Sequence, residues 1–309
     1  MLYDHYDFES RYQVVDGYRI HYVDEGKGET LLMVHGNPTW SYLYRHFIRD
    51  LRSDYRCIAL DHLGFGYSDK PWLADYSMRA HIMRLKSFVD QLGLKDITFV
   101  GQDWGGIIGL GWAVYHKHLV KRLVILNTAG FAPVFREMAK RKGPVPWAFP
   151  MLWALKIPIL GEIFIQGLNG FAKYLIPLAT YHRERLTPEV MRGYLEPYPT
   201  WGSRRAHLKS VRQIPMLPTH PTWQLLRDIG MNLQGWPVPT QIIWGMKDPV
   251  FVPWFADKFE ELLPNHRPTL RIPDASHFLQ DDTPAPIIAK IREFLSSAEL
   301  AASRQSERA

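Results

Sequence analysis

Short apolar runs of strand length alternate along this chain with longer stretches in which apolar positions recur at helical spacing. The stretch Met78–Leu92, which is followed by Gly93, has the period and the ending of an amphipathic helix. Strands that alternate with helices favour a mostly parallel central sheet flanked by helices on both faces. The predicted strands are Arg19–Val23, Leu31–Val34, Tyr55–Leu60, Ile97–Val100, Leu123–Leu126, Thr240–Trp244 and Thr269–Ile272. The predicted helices are Trp40–Leu51, Met78–Leu92, Trp104–His116 and Ile287–Leu295.

This alternation is interrupted over residues 130–215. The interval is rich in Pro, Trp, Phe and Tyr, contains pieces of helix length and lacks a clear period of two. The alternation resumes at Thr240, so the chain returns to complete the same sheet. We therefore predict one α/β domain formed by residues 1–129 and 216–309, with residues 130–215 inserted as a helical cap. A separate domain with its own function is the less favoured alternative.

The composition is that of an ordinary globular protein and does not favour a nucleic-acid partner. Hydrophobic residues make up 46% and charged residues 22% of the 309 positions, which excludes global disorder. The net charge is +6, but Lys and Arg are scattered among acidic residues. The longest basic cluster, Arg136–Lys142, includes Glu137 and Met138 and is typical of a solvated face. We expect no nucleic-acid binding.

The chain carries no pattern of export or of membrane insertion. Its N-terminal segment has three acidic residues, Asp4, Asp7 and Glu9, and no apolar core of a signal peptide. Lys, Arg, Asp or Pro interrupts every apolar stretch before it reaches the length of a membrane-spanning helix. The single cysteine, Cys57, cannot form an internal disulfide bond. We therefore expect a cytoplasmic protein without a membrane span.

The strongest chemical signal is the pentapeptide Gly101–Gly105, which follows the apolar run Ile97–Val100. A strand that leads through small-x-nucleophile-x-small into a helix is typical of the nucleophile elbow, a strained turn that exposes its central side chain. The central residue here is Asp103 rather than the usual serine. A carboxylate is ionised at neutral pH and can displace a leaving group from an alkyl carbon, which forms an alkyl-enzyme ester. The alternative is that Asp103 only caps the following helix.

A nucleophilic carboxylate also needs a base that activates water, and an acid that orients this base. His277 follows the last predicted strand, and Asp248 follows the strand before it. Both lie at the carboxyl ends of strands, where this topology carries its active site, and the order nucleophile, acid, histidine agrees with the α/β-hydrolase fold. We therefore predict Asp103, Asp248 and His277 as a catalytic triad. The alternatives are a histidine in a surface loop and a turn aspartate before Pro249.

Two further residues are candidates for binding an anionic leaving group. Asn37 lies in a loop that in this fold donates a backbone N–H to the oxyanion hole, and Trp104 follows the nucleophile. Their side chains add an amide and an indole N–H. Two neutral donors beside the nucleophile would solvate a departing halide, which requires no proton. The alternative is that Asn37 is a turn residue and Trp104 a core residue at the start of a helix.

Four segments carry motifs that are narrower than the elbow alone: His35–Arg45, Asp61–Pro71, Gln102–Gly106 and His277–Gln280. Together they resemble the haloalkane dehalogenases of the α/β-hydrolase superfamily, over the main domain from about Tyr22 to Leu295. The resemblance implies that Asp103 is the nucleophile and His277 the base, and that Asn37 and Trp104 stabilise the halide. It implies hydrolysis of a small apolar halogenated substrate by water, with release of halide and without a metal or cofactor. The sequence does not distinguish a monomer from a homo-oligomer.

The resemblance also assigns the catalytic acid. The family places its acid after either of two strands, and the first of these positions holds Asn127, which cannot serve as a carboxylate. The resemblance therefore gives Asp248 as the acid. This combination, together with Asn37, is similar to the third subfamily of haloalkane dehalogenases.

Other functions on the same fold stay open. The chain resembles the β-lactone decarboxylases of long-chain olefin synthesis equally well in three segments: Asn127–Ala129, Pro158–Gly161 and Gly167–Asn169. A non-enzymatic alternative is an α/β-hydrolase that has lost its activity and serves as a binding or receptor module. This alternative would require that an intact catalytic triad is not used.

Epoxide hydrolysis is a third enzymatic possibility, because it uses the same triad. It requires protonation of the opening oxygen, for which related enzymes use two cap tyrosines, whereas the pair Asn37 and Trp104 argues against this reaction. The candidate tyrosines are Tyr174, Tyr181, Tyr194 and Tyr198.

Overall fold

A central sheet of eight strands organises the molecule. The structure is a computed structural model that describes residues 6–133 and 148–306, so that the basic cluster Arg136–Lys142 lies outside the described residues. The strands are β1 (Arg11–Val15), β2 (Tyr18–Glu25), β3 (Thr30–Val34), β4 (Arg56–Leu60), β5 (Ile97–Gly101), β6 (Val120–Leu126), β7 (Thr240–Gly245) and β8 (Leu270–Ile272).

The strand order across the sheet is β1-β2-β4-β3-β5-β6-β7-β8. The β1–β2 and β2–β4 pairs are antiparallel, and all pairs from β4–β3 to β7–β8 are parallel, which confirms the predicted α/β-hydrolase fold. Every residue of β3 and β5 is buried, as expected for parallel strands covered on both faces. Strand β1 is absent from the predicted set because only Val15 among its five residues is buried.

Helices cover the sheet, and their ends differ slightly from the predicted ones. Helix α3 begins at Asp103 and ends at Ala113, whereas the sequence predicted Trp104–His116. None of the helices in the described ranges is both long and apolar enough to cross a membrane. The α-helices are α1 (Arg45–Leu51), α2 (Met78–Gln91), α3 (Asp103–Ala113), α4 (Ala148–Ala154), α5 (Ile176–Leu178), α6 (Pro188–Leu195), α7 (Arg205–Gln213), α8 (Pro221–Leu233), α9 (Trp254–Leu262), α10 (Leu279–Asp282) and α11 (Pro284–Ser306).

The regular elements described between β6 and α8 are all helical. Besides α4 to α7 they include two π-helical turns, Glu162–Gly167 and Phe171–Leu175, and the described residues of this interval include no strand. The division into residues 1–129 with 216–309 and a cap of residues 130–215 stays a prediction. A separate small core lies within this interval and consists of Leu152, Leu155, Ile165, Phe171, Leu175, Leu208 and Val211.

Candidate active site

The turn between β5 and α3 places Asp103 in a strained backbone conformation. Its φ is +52°, in the left-handed region that non-glycine residues seldom adopt and that is often found at functional sites. Gln102 is the residue that precedes the helix, with extended backbone, so the alternative of Asp103 as the helix cap is wrong. The turn can form because residue 105 is glycine, since a Cβ atom there would overlap the carbonyl oxygen of Val34 in β3.

The Asp103 carboxylate lies between two backbone donors and a histidine. Its Oδ1 atom accepts a hydrogen bond from the Asn37 backbone N–H at 2.7 Å, and the Trp104 N–H also donates to this carboxylate. Its Oδ2 atom lies 3.7 Å from Nε2 of His277. Burial raises the pKa of Asp103, although the His277 charge and the two backbone donors act in the opposite direction. The two backbone N–H groups predicted to form an oxyanion hole therefore converge on the predicted nucleophile.

His277 lies between β8 and α10, with its two ring nitrogens facing different carboxylates. Its Nδ1 atom lies 2.9 Å from Oδ2 of Asp248, and because a carboxylate only accepts, Nδ1–H is the donor. This leaves the lone pair of Nε2 on the side of Asp103. Burial lowers the pKa of His277, but the adjacent carboxylates of Asp248 and Asp103 outweigh it, and the net shift is upward.

Asp248 follows β7 and is held by donors on both oxygens. Its Oδ1 atom accepts the backbone N–H groups of Val250 at 2.7 Å and Phe251 at 3.0 Å. Its Oδ2 atom accepts from His277 and, at 2.8 Å, from the side-chain amide of Asn127. Burial alone would raise the pKa of Asp248, yet the charge of His277 and these donors lower it. The carboxylate can therefore orient the imidazole in its ionised form.

Asn127 connects three parts of the site, a role that the sequence did not predict. Its amide donates to the Gly245 carbonyl at 3.0 Å as well as to Asp248, and its side-chain oxygen accepts the Gly245 N–H at 2.7 Å. Its backbone carbonyl accepts the N–H of Asp103 at 2.9 Å. Its place at the end of a central strand, next in the sheet to the strand of the acid, is the signal that could have indicated this role.

Gln102 is a second contributor that the sequence did not identify. Its side-chain amide donates to the His277 carbonyl at 3.0 Å and lies 3.2 Å from Nε2 of His277. It therefore holds the histidine from the side opposite to Asp248. Its neighbour in sequence is the nucleophile, but a glutamine before an elbow gives no signal of such a contact by itself.

Asn37 and Trp104 both line the cavity above Asp103. The Asn37 amide donates to the His207 carbonyl at a long 3.3 Å, and its side-chain oxygen has no hydrogen-bond partner among the described residues. The Trp104 indole N–H likewise donates to no acceptor in the described part of the chain. Both side chains thus retain donor capacity beside the carboxylate.

The cavity is apolar apart from the predicted site residues. Among the described residues that line it, only Asn37, Asp103, Trp104 and His277 carry a polar side-chain group. The other walls come from the loops after β6 and β7, from α8 and α9, and from the interval predicted as the cap. Representative apolar lining residues are Met151, Leu152, Phe171, Leu175, Ile214, Leu226, Phe251 and Phe255. An apolar ligand would therefore meet polar groups only at its reacting end.

None of the four candidate tyrosines lines this cavity. Tyr174 and Tyr181 are exposed at the surface. Tyr194 is buried, and its hydroxyl donates to Asp281 at 2.5 Å. The Tyr198 hydroxyl accepts the Gly66 N–H at 2.9 Å. The described residues also include no cluster of His, Cys, Asp and Glu that could hold a metal ion.

Comparison with known proteins places the chain in a family. The family model described as alpha/beta hydrolase fold matches residues 29–284. The chain belongs to this family. It is 35% identical over 304 residues to a cis-3-alkyl-4-alkyloxetan-2-one decarboxylase of Shewanella oneidensis, covering 96% of this chain and 91% of the relative. It is 38% identical over 290 residues to haloalkane dehalogenase 2 of Mycobacterium tuberculosis, covering 93% and 95%.

A solved haloalkane dehalogenase has the same fold. The crystal structure of DatA from Agrobacterium tumefaciens C58 superposes with a TM-score of 0.84 at 27% identity, covering 94% of this chain and 96% of DatA. The resemblance to haloalkane dehalogenases and to β-lactone decarboxylases is thus confirmed for the chain as a whole.

Proposed function

We propose that this protein hydrolyses haloalkanes through an ester formed on Asp103. The observation that carries this proposal is the relation of three groups at the base of an apolar cavity. One oxygen of Asp103 accepts the Asn37 backbone N–H, the other lies 3.7 Å from His277, and His277 is oriented by Asp248 at 2.9 Å.

In the first step, Asp103 attacks the carbon that bears the halogen. A new C–O bond forms, and the electrons of the carbon–halogen bond leave with the halide. No proton moves, because the carboxylate is ionised and halide is a stable anion. The side-chain donors of Asn37 and Trp104 line the same cavity and would solvate the departing charge.

In the second step, Nε2 of His277 removes a proton from water as the water oxygen attacks the ester carbonyl carbon. The negative charge on the former carboxylate oxygen is stabilised by the backbone N–H groups of Asn37 and Trp104. The tetrahedral intermediate expels the alkoxide, which takes the proton from His277. The products are an alcohol, a halide and a proton, and Asp103 is regenerated.

Decarboxylation of a β-lactone is the second candidate, favoured by the Shewanella oneidensis relative that covers 96% of this chain. Asp103 would attack the alkyl-substituted ring carbon that is bonded to the ring oxygen. The bond between them would break, and the ring oxygen would leave as part of a carboxylate. Loss of carbon dioxide would then expel the Asp103 carboxylate and form an alkene. This second step needs neither water nor a base, so the oriented His277 favours hydrolysis as the first candidate. Epoxide hydrolysis is not favoured, since no tyrosine among the described residues lines the cavity.

The deciding experiment compares two substrates with one enzyme preparation. Brominated alkanes and a cis-disubstituted β-lactone are supplied separately, and halide release is compared with the formation of alkene and carbon dioxide. Halide release from a bromoalkane supports the proposal. Alkene formation without halide release from any bromoalkane would instead favour the decarboxylase.

Trp104→Phe tests the role of the leaving-group donor. Loss of one such donor should slow halide release on the order of a hundredfold, with little effect on hydrolysis of the ester. Bromide should also quench the tryptophan fluorescence of the parent saturably and that of the variant less. Trp236→Phe is the matched control, because Trp236 has the same exposed fraction of 8% but does not line the cavity. Equal quenching in the parent and Trp104→Phe would contradict this role.

A further inference from the structure

The interval predicted as the cap carries an excess of positive charge because acidic residues are scarce in it. Residues 130–215 contain 13 Lys and Arg, five Glu and no Asp, a net charge of +8. Since the whole chain carries +6, the remaining residues sum to −2. The described residues 148–215 alone hold nine Lys and Arg against four Glu. The interval predicted as the cap is therefore strongly cationic, whereas the rest of the chain is slightly anionic.

Residues 153–163 of this interval expose five large apolar side chains, and Leu217, just beyond the interval, exposes a sixth. Among them, Trp153 is 57% exposed and Ile159 is 71% exposed. Single exposed apolar residues are ordinary, but so many within eleven consecutive positions mark an interaction site. We call this group the apolar crest; it consists of Trp153, Ile157, Ile159, Leu160, Ile163 and Leu217.

At the tip of the apolar crest, Ile159 has a backbone conformation that is unfavourable for isoleucine. Ile159 has a φ of +72°, a conformation that is a genuine outlier for a β-branched side chain. The turn is fixed because the Ile159 N–H donates to Glu162 at 2.8 Å and its carbonyl accepts the Ile163 N–H at 2.9 Å. Gly or Asn would fit this backbone better and would not expose an apolar group to water. The unfavourable backbone conformation therefore coincides with an apolar side chain that is exposed to solvent.

Two lysine residues lie near the apolar crest. Lys156 lines a surface groove together with Trp153, Ile157 and Leu217. Lys209 is exposed on α7, directly after Leu208, which lies next to Gly161 at the tip of the crest. An apolar surface with cationic neighbours fits the interface of a bilayer that contains anionic lipids.

The apolar crest and the cavity share two chain segments. Met151 and Leu152 line the cavity, and the next residue is Trp153 of the crest. Ile214 likewise lines the cavity, three residues before Leu217 of the crest. An apolar substrate dissolved in a bilayer would therefore reach the protein at the outer side of the cavity wall.

We propose that the apolar crest docks this protein onto the surface of an anionic lipid bilayer, from which apolar substrate enters the cavity. The docking itself does not depend on the catalytic chemistry, whereas the delivery of substrate rests on the proposed function. A second copy bound through the same face is disfavoured, because two strongly cationic surfaces would be opposed.

The test uses the full chain and vesicle flotation without any substrate. One set of vesicles contains phosphatidylglycerol and phosphatidylcholine, and the other contains phosphatidylcholine alone. The parent should float with the anionic vesicles, with binding that weakens as salt is added. The double variant Ile159→Asn/Leu160→Gln should bind at least about tenfold more weakly. Asn tolerates the backbone at position 159, so the thermal midpoint should not fall.

The matched control is Leu73→Gln/Met83→Gln, which removes two exposed apolar side chains outside the apolar crest without changing charge. It should float like the parent. The proposal is overturned if the parent binds neither set of vesicles, or if both variants bind as the parent does. It is also overturned if ultracentrifugation shows a dimer that only the crest variant dissociates, while vesicles are not bound.

A soluble short-chain bromoalkane separates this proposal from the catalytic one. Its turnover should be the same for the parent and the crest variant, because neither substituted residue lines the cavity. Vesicle binding without turnover would contradict only the proposed function. Turnover without vesicle binding would contradict only the docking proposal.

Discussion

The buried histidine of the candidate site, His277, differs in its surroundings from a second group of buried histidines, which consists of His35, His62, His81 and His207. His277 lies within reach of Asp248 and Asp103, and its pKa is raised. His81 and His207 are equally buried, but their ring nitrogens have no hydrogen-bond partner among the described residues, and burial lowers the pKa of each to about 3. Burial thus favours the neutral forms of His81 and His207, whereas the facing carboxylates favour the protonated form of His277 and allow it to accept a proton.

The second group acts as a support for the loop that carries Asn37. Nδ1 of His35 donates to the Gly36 carbonyl at 2.8 Å, and its Nε2 accepts the His62 N–H at 3.0 Å. The rings of His35 and His62 lie 4.7 Å apart, and the His207 carbonyl accepts the Asn37 amide. These contacts hold the loop in place, and the acceptor role of Nε2 requires the neutral form of His35.

Replacing the nucleophile should have the largest effect. Asp103→Asn should reduce turnover about 10⁵-fold or more, because a neutral amide cannot displace the leaving group. Halide release measures the loss. Asp274→Asn, in the exposed loop just before His277, is the control and should retain activity. Turnover of Asp103→Asn within tenfold of the parent would contradict the assignment.

Replacing one histidine from each group tests the comparison directly. His277→Phe should lower steady-state turnover on the order of 10⁴-fold while leaving the first step intact, because only hydrolysis needs a base. Mass spectrometry should then find the alkyl group on the Asp103 peptide. His81→Phe makes the same change in a buried histidine without a carboxylate partner and should retain turnover. If both variants lost turnover without trapping an ester, the distinction between the two groups would be wrong.

Removal of the orienting charge should have a smaller effect. Asp248→Asn should slow hydrolysis of the ester about a hundredfold, since the imidazole remains but loses the partner that fixes its Nδ1–H. Single-turnover kinetics separate this step from the displacement of halide. An equal loss in both steps would indicate that Asp248 supports the site as a whole rather than His277.

Acid should destabilise the protein through the second group of histidines. The pKa of His81 and of His207 is about 3 in the folded state and near 6.5 when unfolded, so the unfolded chain binds more protons between these values. Their contribution to stability is complete above pH 6.5 and decreases as the pH falls, by about 1.4 kcal/mol per unit for each histidine. Urea unfolding at several pH values measures this slope. His81→Phe should reduce it, and an unchanged slope would contradict the prediction.

The sequence predicted the core of the site because local rules determine it. The glycines around Asp103 permit one tight turn, and the parallel strands bring His277 and Asp248 to the same edge of the sheet. The role of Asn127 depends on an amide contact across two strands, which no local pattern encodes. The sequence showed that Asn127 cannot itself be the catalytic carboxylate. It did not show that the Asn127 amide donates to the carboxylate of Asp248 at 2.8 Å.

Segments with weak periodicity were predicted least well. Strand β1 exposes most of its side chains, so its amphipathic pattern is faint. The two π-helical turns between α4 and α5 lack the regular spacing on which helix prediction depends. The four candidate tyrosines could be counted from the sequence, but their distance from the cavity depends on tertiary packing.

The hydrogen bonds of Asn127 also have a consequence for how activity develops during folding. One residue at the end of β6 contacts the backbone of Asp103, the end of β7 and the carboxylate of Asp248. The contacts with Gly245 and Asp248 join positions more than a hundred residues apart in the chain, and such long-range pairings form slowly. A refolding chain that has formed β5 and β6 but not β7 would have Asp103 in place, but Asp248 would not yet orient His277. Recovered turnover should therefore report the completed sheet, and not merely a collapsed chain with native-like helices.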